Sequence, residues 1–317
     1  MDQGTLTRFA VVADEINLDP EIACRVAREL GMAAVDLNTL WGKQITALSD
    51  GEVRSVKAVL KTYGLRPYMI AGLPFKFLPV EGLTPHTLVA GEAFVRDLRI
   101  LQRSLEIGQA LGATCARVHA FAWPPQAPGA PVRRRDGGKI PAEILPTIVA
   151  GLREACALAA RYGLKLGLEN VRASYGNCGH NLAEVCDAVG DPRLRVVWDP
   201  ANAFVSGEDA AYPDGYAAAL PHIDHIHVKD ARLADPAQPS GATVWECVGR
   251  GAVDWAGQLR ALHRDGYAGM LCVETHWSPP GLTPEQATRT TFDNLRRLWD
   301  DVVGGGHHRP SPGAGAS

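Results

Sequence analysis

Four short, largely apolar runs in this 317-residue chain each stop at a side chain able to hold a divalent cation. Leu164 to Leu168 stops at Glu169, Leu194 to Trp198 at Asp199, Ile223 to Ile226 at His227, and Met270 to Val273 at Glu274. A run of about five apolar residues has the length of a strand buried on both faces. A charged residue closing such a run is costly unless a metal or a partner meets it there. Three carboxylates and one imidazole make a ligand set for a single ion. The chemistry such a set offers is Lewis-acid catalysis, the polarisation of a bound carbonyl oxygen.

The elements that must position these ends alternate along the whole chain. Strands are predicted over Arg8 to Ala13, Ala33 to Leu37, Arg66 to Ala71 and Ala113 to Val118, followed by the four runs above. Between them lie helical segments. One opens at Asp19-Pro20, with Asp19 as N-cap and Pro20 at the first helical position. Ser49-Asp50-Gly51-Glu52 reads as a capping box that starts another, closed at Gly64. Further helices are expected over Thr87 to Leu111, Ala142 to Tyr162, Leu182 to Val189, Gly215 to Leu220, Trp255 to Asp265 and Pro284 to Val302, with Phe121 to Lys139 and Lys229 to Gly251 as long irregular loops. Eight strand–helix repeats imply a parallel sheet with right-handed crossovers, which at this length closes as a (β/α)8 TIM barrel. The four ligands are 30, 28 and 47 residues apart, one βα unit each, the last enlarged by its loop. In a barrel all strand C-termini share one face, so the four ends converge; an open doubly wound sheet would spread them along a line.

Other candidates sit at the same face. His119 closes the fourth strand and has the pKa range of a general base. Lys229 is placed to bind a substrate oxygen, with Asp230 orienting it, and Arg250 lies in the Gly249-Arg250-Gly251 turn. Trp41, Phe75, Trp123 and Trp277 follow strand ends as pocket-wall candidates, and His225 is expected to be a hydrogen-bonded structural residue below His227.

Composition narrows the classes. Formal net charge is -3 and the sequence pI is near 6.4, with one basic cluster, Arg133-Arg134-Arg135. Sequence-independent nucleic-acid binding rests on clustered cations, so no nucleic-acid partner is expected. Seven cysteines without a CxxC pair, several in apolar patterns, suit reduced thiols in a cytoplasmic protein. No signal pattern or membrane-length apolar run is read. The expected organisation is one catalytic domain over 1–303 and a disordered Gly/Pro/Ser-rich tail over 304–317.

Taken together, Gly167-Leu168-Glu169-Asn170, Val197-Trp198-Asp199-Pro200-Ala201-Asn202, His225-Ile226-His227-Val228-Lys229-Asp230 and Val273-Glu274-Thr275-His276 resemble the sugar phosphate isomerase/epimerase group, the xylose isomerase-like TIM barrels, over residues 8 to 302. The resemblance implies one divalent ion on Glu169, Asp199, His227 and Glu274, and a metal-stabilised enediolate formed from a ketose or keto-sugar derivative. Glu169 and Glu274 would then serve as acid and base on opposite sides of the ion. Mn²⁺ is the expected metal, with Mg²⁺, Co²⁺ and Zn²⁺ as alternatives. Epimerases of the group often carry a His three residues after the metal-binding Asp. Asn202 stands there in this chain and can bind substrate but cannot exchange a proton near neutral pH. The alternative reading is a lyase that uses the same enolate for β-elimination, as in relatives that dehydrate inosose or, with a small partner subunit, deglycosylate 3-oxo-C-glycosides. Family endonucleases cleave damaged DNA with three zinc ions, and Asn202 and the acidic balance speak against that activity. A non-catalytic barrel would hold no metal. Barrels of this kind are frequently homo-oligomers.

Overall fold

A computed structural model describes residues 8–124, 137–238 and 241–303. The predicted tail and the Arg133-Arg134-Arg135 cluster lie outside the described residues. Eight parallel strands close a barrel: β1 Phe9–Val12, β2 Ala34–Leu37, β3 Arg66–Ile70, β4 Cys115–Val118, β5 Lys165–Glu169, β6 Leu194–Trp198, β7 Ile223–Val228 and β8 Met270–Val273. Each pairs with its sequence neighbours, and β1 pairs with β8 through Phe9 and Leu271, Ala10 and Cys272, and Val11 and Val273. Outside them lie α1 Pro20–Glu29, α2 Asp50–Tyr63, α3 Glu92–Leu111, α4 Leu145–Ala160, α5 Gly179–Val189, α6 Tyr216–Ala219, α7 Trp255–Arg264 and α8 Pro284–Val303.

Local signals explain most boundaries. The Asp19 carboxylate accepts from the Glu21 amide at the start of α1. At α2 the Ser49 and Glu52 side chains satisfy each other's backbone amides, and Gly64 ends the helix with φ of 61°, where a Cβ would be strained. α2 turns Val53, Val56 and Leu60 inward, the three- and four-residue spacing of one helical face. Two expectations are corrected. The long helix predicted from Thr87 is broken into Pro85–Val89 and α3, because Thr84 caps Pro85 in a box with Thr87 and Gly91 then interrupts the ladder. The loop predicted from Lys229 contains an antiparallel hairpin, Asp230–Leu233 against Thr243–Glu246. A short helix, Pro200–Ser206, was also not anticipated; its N-cap is Asp199.

Period-two alternation divides the core. Outward residues such as Phe9, Val11, Leu166 and Leu168 pack under the helices, and Phe9 meets Phe292 of α8 edge to face at 5.3 Å, joining first strand to last helix. Inward residues Ala10, Val12, Ala34, Met69, Cys115, Val197, Met270 and Cys272 fill the barrel, and a register shift in the β2–β3 pairing brings the adjacent Tyr68 in with them. Continuing that inward register toward the strand C-termini gives Asp36, Arg117, Glu169, Asp199, His227 and Glu274, all buried. Side-chain parity therefore stacks a charged layer directly on an apolar one.

Candidate functional site

The ligand atoms of Glu169, Asp199, His227 and Glu274 lie within 4.8 Å of one another, and all four residues are buried. His227 Nδ1 is 3.0 Å from both Glu169 Oε1 and Glu274 Oε2. On the other side of the ring, Nε2 is 3.2 Å from Asp36 Oδ2, which also accepts from His225 Nε2 at 2.7 Å. A carboxylate behind a histidine fixes its orientation and leaves the opposite nitrogen for a cation. His225 itself stacks on Tyr68 at 4.3 Å. Arg117 Nη1 holds Glu169 Oε2 at 2.9 Å while its other nitrogens donate to the Gly72 and Ala71 carbonyls. Lys229 Nζ lies 3.0 Å from Asp199 Oδ2 and 2.5 Å from Glu274 Oε2.

Those last two oxygens are buried and, despite the close ammonium, receive no hydrogen bond of good geometry. Buried carboxylate oxygens left without donors are costly. Three carboxylates and an imidazole nitrogen aimed at one point, with two oxygens unsatisfied, fit a divalent ion.

Electrostatics set the resting state of the cluster. Burial opposes ionisation at Glu169, but Arg117 and His227 outweigh it and hold the carboxyl far below the ordinary range. Lys229 and His227 do the same against burial at Glu274. At Asp199 burial prevails over Lys229, and the carboxyl is pushed up to about 6. Burial would deprotonate Lys229, yet Asp199 and Glu274 raise it above its usual value. His227 is likewise kept an imidazolium by Glu274 and Glu169 in spite of burial. Its Nδ1 proton is the one that a cation would displace.

Above the cluster opens a cavity of about 420 Å³, within the range of small-molecule sites. Its floor is Glu169, Glu274, Arg117 and Lys229, and its walls include Lys76, Arg172, Asn202, Trp245 and His276. A model of the xylose isomerase-like TIM barrel family matches residues 24–298. The chain belongs to that family.

Its inosose dehydratase relative from Bacillus licheniformis is 28% identical over 148 residues, covering 42% of this chain and 47% of that protein. The chain thus spans less than half the length of the curated relatives it matches. Among solved structures, an IOLI protein with a bound zinc atom superposes with a TM-score of 0.69 at 17% identity, covering 94% of this chain and 98% of that one. An L-ribulose 3-epimerase superposes with a TM-score of 0.67 at 14% identity, over 96% and 100% of the two chains. At these identities the structural likeness shows the fold.

This xylose isomerase-like barrel does not bring every sequence candidate to the cavity. Asn202 lines it, with Nδ2 donating to the Asn170 carbonyl and its backbone amide capped by Asp199. His119 is fully buried behind Glu169, its Nε2 3.9 Å from Oε2 and without a hydrogen bond; burial and Arg117 push its pKa down to about 3, so the ring is neutral. The Asp230 carboxylate accepts from the amides of Ala231, Gly249, Gly251 and Val253, which ties down the glycine turn. Arg250 in that turn is exposed. Trp41 is 40% exposed at the tip of the Thr39–Gln44 hairpin, Trp123 packs on Tyr175 at 4.5 Å, and Phe75 is buried between Phe94 and Phe121. Neither those three nor the half-buried Trp277 is among the lining residues; Trp245 of the hairpin supplies the aromatic wall, edge to face with His276 at 5.2 Å. Sequence reasoning missed Asp36, Arg117 and Trp245. The first two were detectable as charges at inward parity within apolar strands.

Proposed function

We propose that the protein is a divalent-metal-dependent isomerase or epimerase acting on a ketose or keto-sugar derivative. The observation that carries this reading is the pair of carboxylates from β5 and β8, each 3.0 Å from His227 Nδ1, facing one another on the cavity floor. Glu169, Asp199, His227 and Glu274 would hold the ion, Mn²⁺ first among the candidates, and the ion when bound would supply Lewis acidity to a carbonyl and its neighbouring hydroxyl. One glutamate removes the proton from the carbon beside the carbonyl, and the other returns a proton from the opposite face. Lys229 and Arg117 place positive charge beside the oxygen on which negative charge develops. Asn202 orients a hydroxyl, and His119, neutral and buried, acts through Glu169 rather than on substrate. Glu15 fixes His276 at the rim by accepting from its backbone amide at 3.0 Å and pairing with its ring at 2.6 Å.

A β-eliminating lyase is the second reading, favoured by the match to inosose dehydratase. Incubating the Mn²⁺-loaded protein with keto-sugars in deuterated water tests both. Deuterium at the carbon beside the carbonyl of recovered sugar supports the isomerase. Loss of water or an aglycone moves the assignment to the lyase. Neither outcome, with metal shown to be bound, overturns both.

A further inference from the structure

We infer that the substrate carries an anionic group, a phosphate or a carboxylate, recognised at the mouth of the cavity by Lys76 and Arg172. The inference rests on the proposed sugar site and names its substrate class. Of the cations that line the cavity, most are already matched within the protein. Arg117 is held by Glu169, Lys229 by Asp199 and Glu274, and His276 by Glu15. Lys76 and Arg172 have no carboxylate partner among the described residues. They come from the loops after β3 and β5, on either side of β4, and face the wall formed by Trp245 and His276 from the loops after β7 and β8. A ligand resting on Trp245 would direct its far end at these two cations, of which Lys76 lies 5.8 Å from the centre of the Phe77 ring.

Lys76 is half-buried, and burial together with the Arg117 guanidinium lowers its pKa, the strain that an incoming anion would relieve. Arg offers a planar fork suited to phosphate or carboxylate oxygens, and Lys a point charge. Neither side chain is fully buried: Lys76 is half-buried and Arg172 is exposed.

The test compares D-ribulose, D-ribulose 5-phosphate and 5-keto-D-gluconate binding to the full chain by calorimetry, with and without Mn²⁺. One or both anionic sugars should bind at least about 10-fold tighter than D-ribulose, an advantage that shrinks with added salt. Whichever anion gains identifies phosphate or carboxylate as the group recognised. Lys76→Gln and Arg172→Gln together should return the anions to within about twofold of D-ribulose while Mn²⁺ uptake is unchanged. Equal binding of all three sugars by the unaltered protein overturns the inference without recourse to any variant. So does an anion preference that survives both substitutions. If the protein takes up no Mn²⁺, the metal reading fails separately, and the sugar comparison still reads on the metal-free chain.

Discussion

Asp230→Asn separates an anchoring role for this carboxylate from a substrate-binding one. Oδ1 accepts from the Ala231 and Val253 amides at 2.8 and 3.1 Å, and Oδ2 from those of Gly249 and Gly251 at 3.0 Å each. An asparagine of the same shape keeps one acceptor and turns an amino group toward two N–H donors. Two hydrogen bonds to a charged acceptor are lost, worth about 1.5–3 kcal/mol each. Gly249 is exposed, so water recovers part of that, and the net loss should be about 2–4 kcal/mol. At about 2 °C per kcal/mol for a chain of this size, Tm should fall by about 4–8 °C in a circular-dichroism melt. Gly251→Ala should act similarly with the carboxylate intact, because its Cβ would stand 2.1 Å from Asp230 Oδ1. A loss below about 1 kcal/mol in Asp230→Asn, with sugar binding reduced, would refute the anchoring argument and return Asp230 to the substrate.

Three further outcomes follow from the same geometry. Mn²⁺ at 100 times its Kd should stabilise the protein by about 2.7 kcal/mol, a rise of about 5 °C in Tm that EDTA reverses and Glu274→Gln removes; an undiminished rise in the variant would place the ion elsewhere. Burial pushes Cys24, Cys156 and Cys186 up to about 12, so these thiols stay protonated at pH 8 and should react with a thiol reagent only after unfolding. Their raised pKa values mean that the stability they contribute is complete below pH 9 and is lost as pH climbs toward 12; rapid labelling of any of the three in the folded protein would contradict this. Gly167→Ala would put a Cβ 2.7 Å from Val197 Cγ2 inside the barrel, costing about 1–3 kcal/mol in denaturant unfolding, and Val197→Ala in the same chain should recover most of the loss.

The strand order, the barrel and the convergence of Glu169, Asp199, His227 and Glu274 were legible in the chain. Each of the four terminates an apolar run, and the rule that parallel strands end on one face leaves little freedom in where those ends meet. Caps were equally plain, since Asp19 and the Ser49–Glu52 box act over three residues. Arg117 and Asp36 escaped because a reading by hydrophobic runs treats an interior charge as an interruption. Only the period-two register shows that both point into the barrel beside the ligands.

What the tertiary structure alone decided is which side chains from long loops reach the cavity. Trp41, Trp123 and Trp277 had the same claim as Trp245 by position after a strand. The hairpin that aims Trp245 inward is held by Asp230 bridging residues 19 to 23 apart in sequence, a contact no local pattern encodes. Likewise Glu169, Asp199 and Glu274 are occupied by Arg117 and Lys229 from neighbouring strands, pairings that form only once the barrel is closed and that leave Lys76 and Arg172 without a carboxylate partner. Residue type and spacing determine what gathers at a strand end; the paths of the loops determine what stands opposite it.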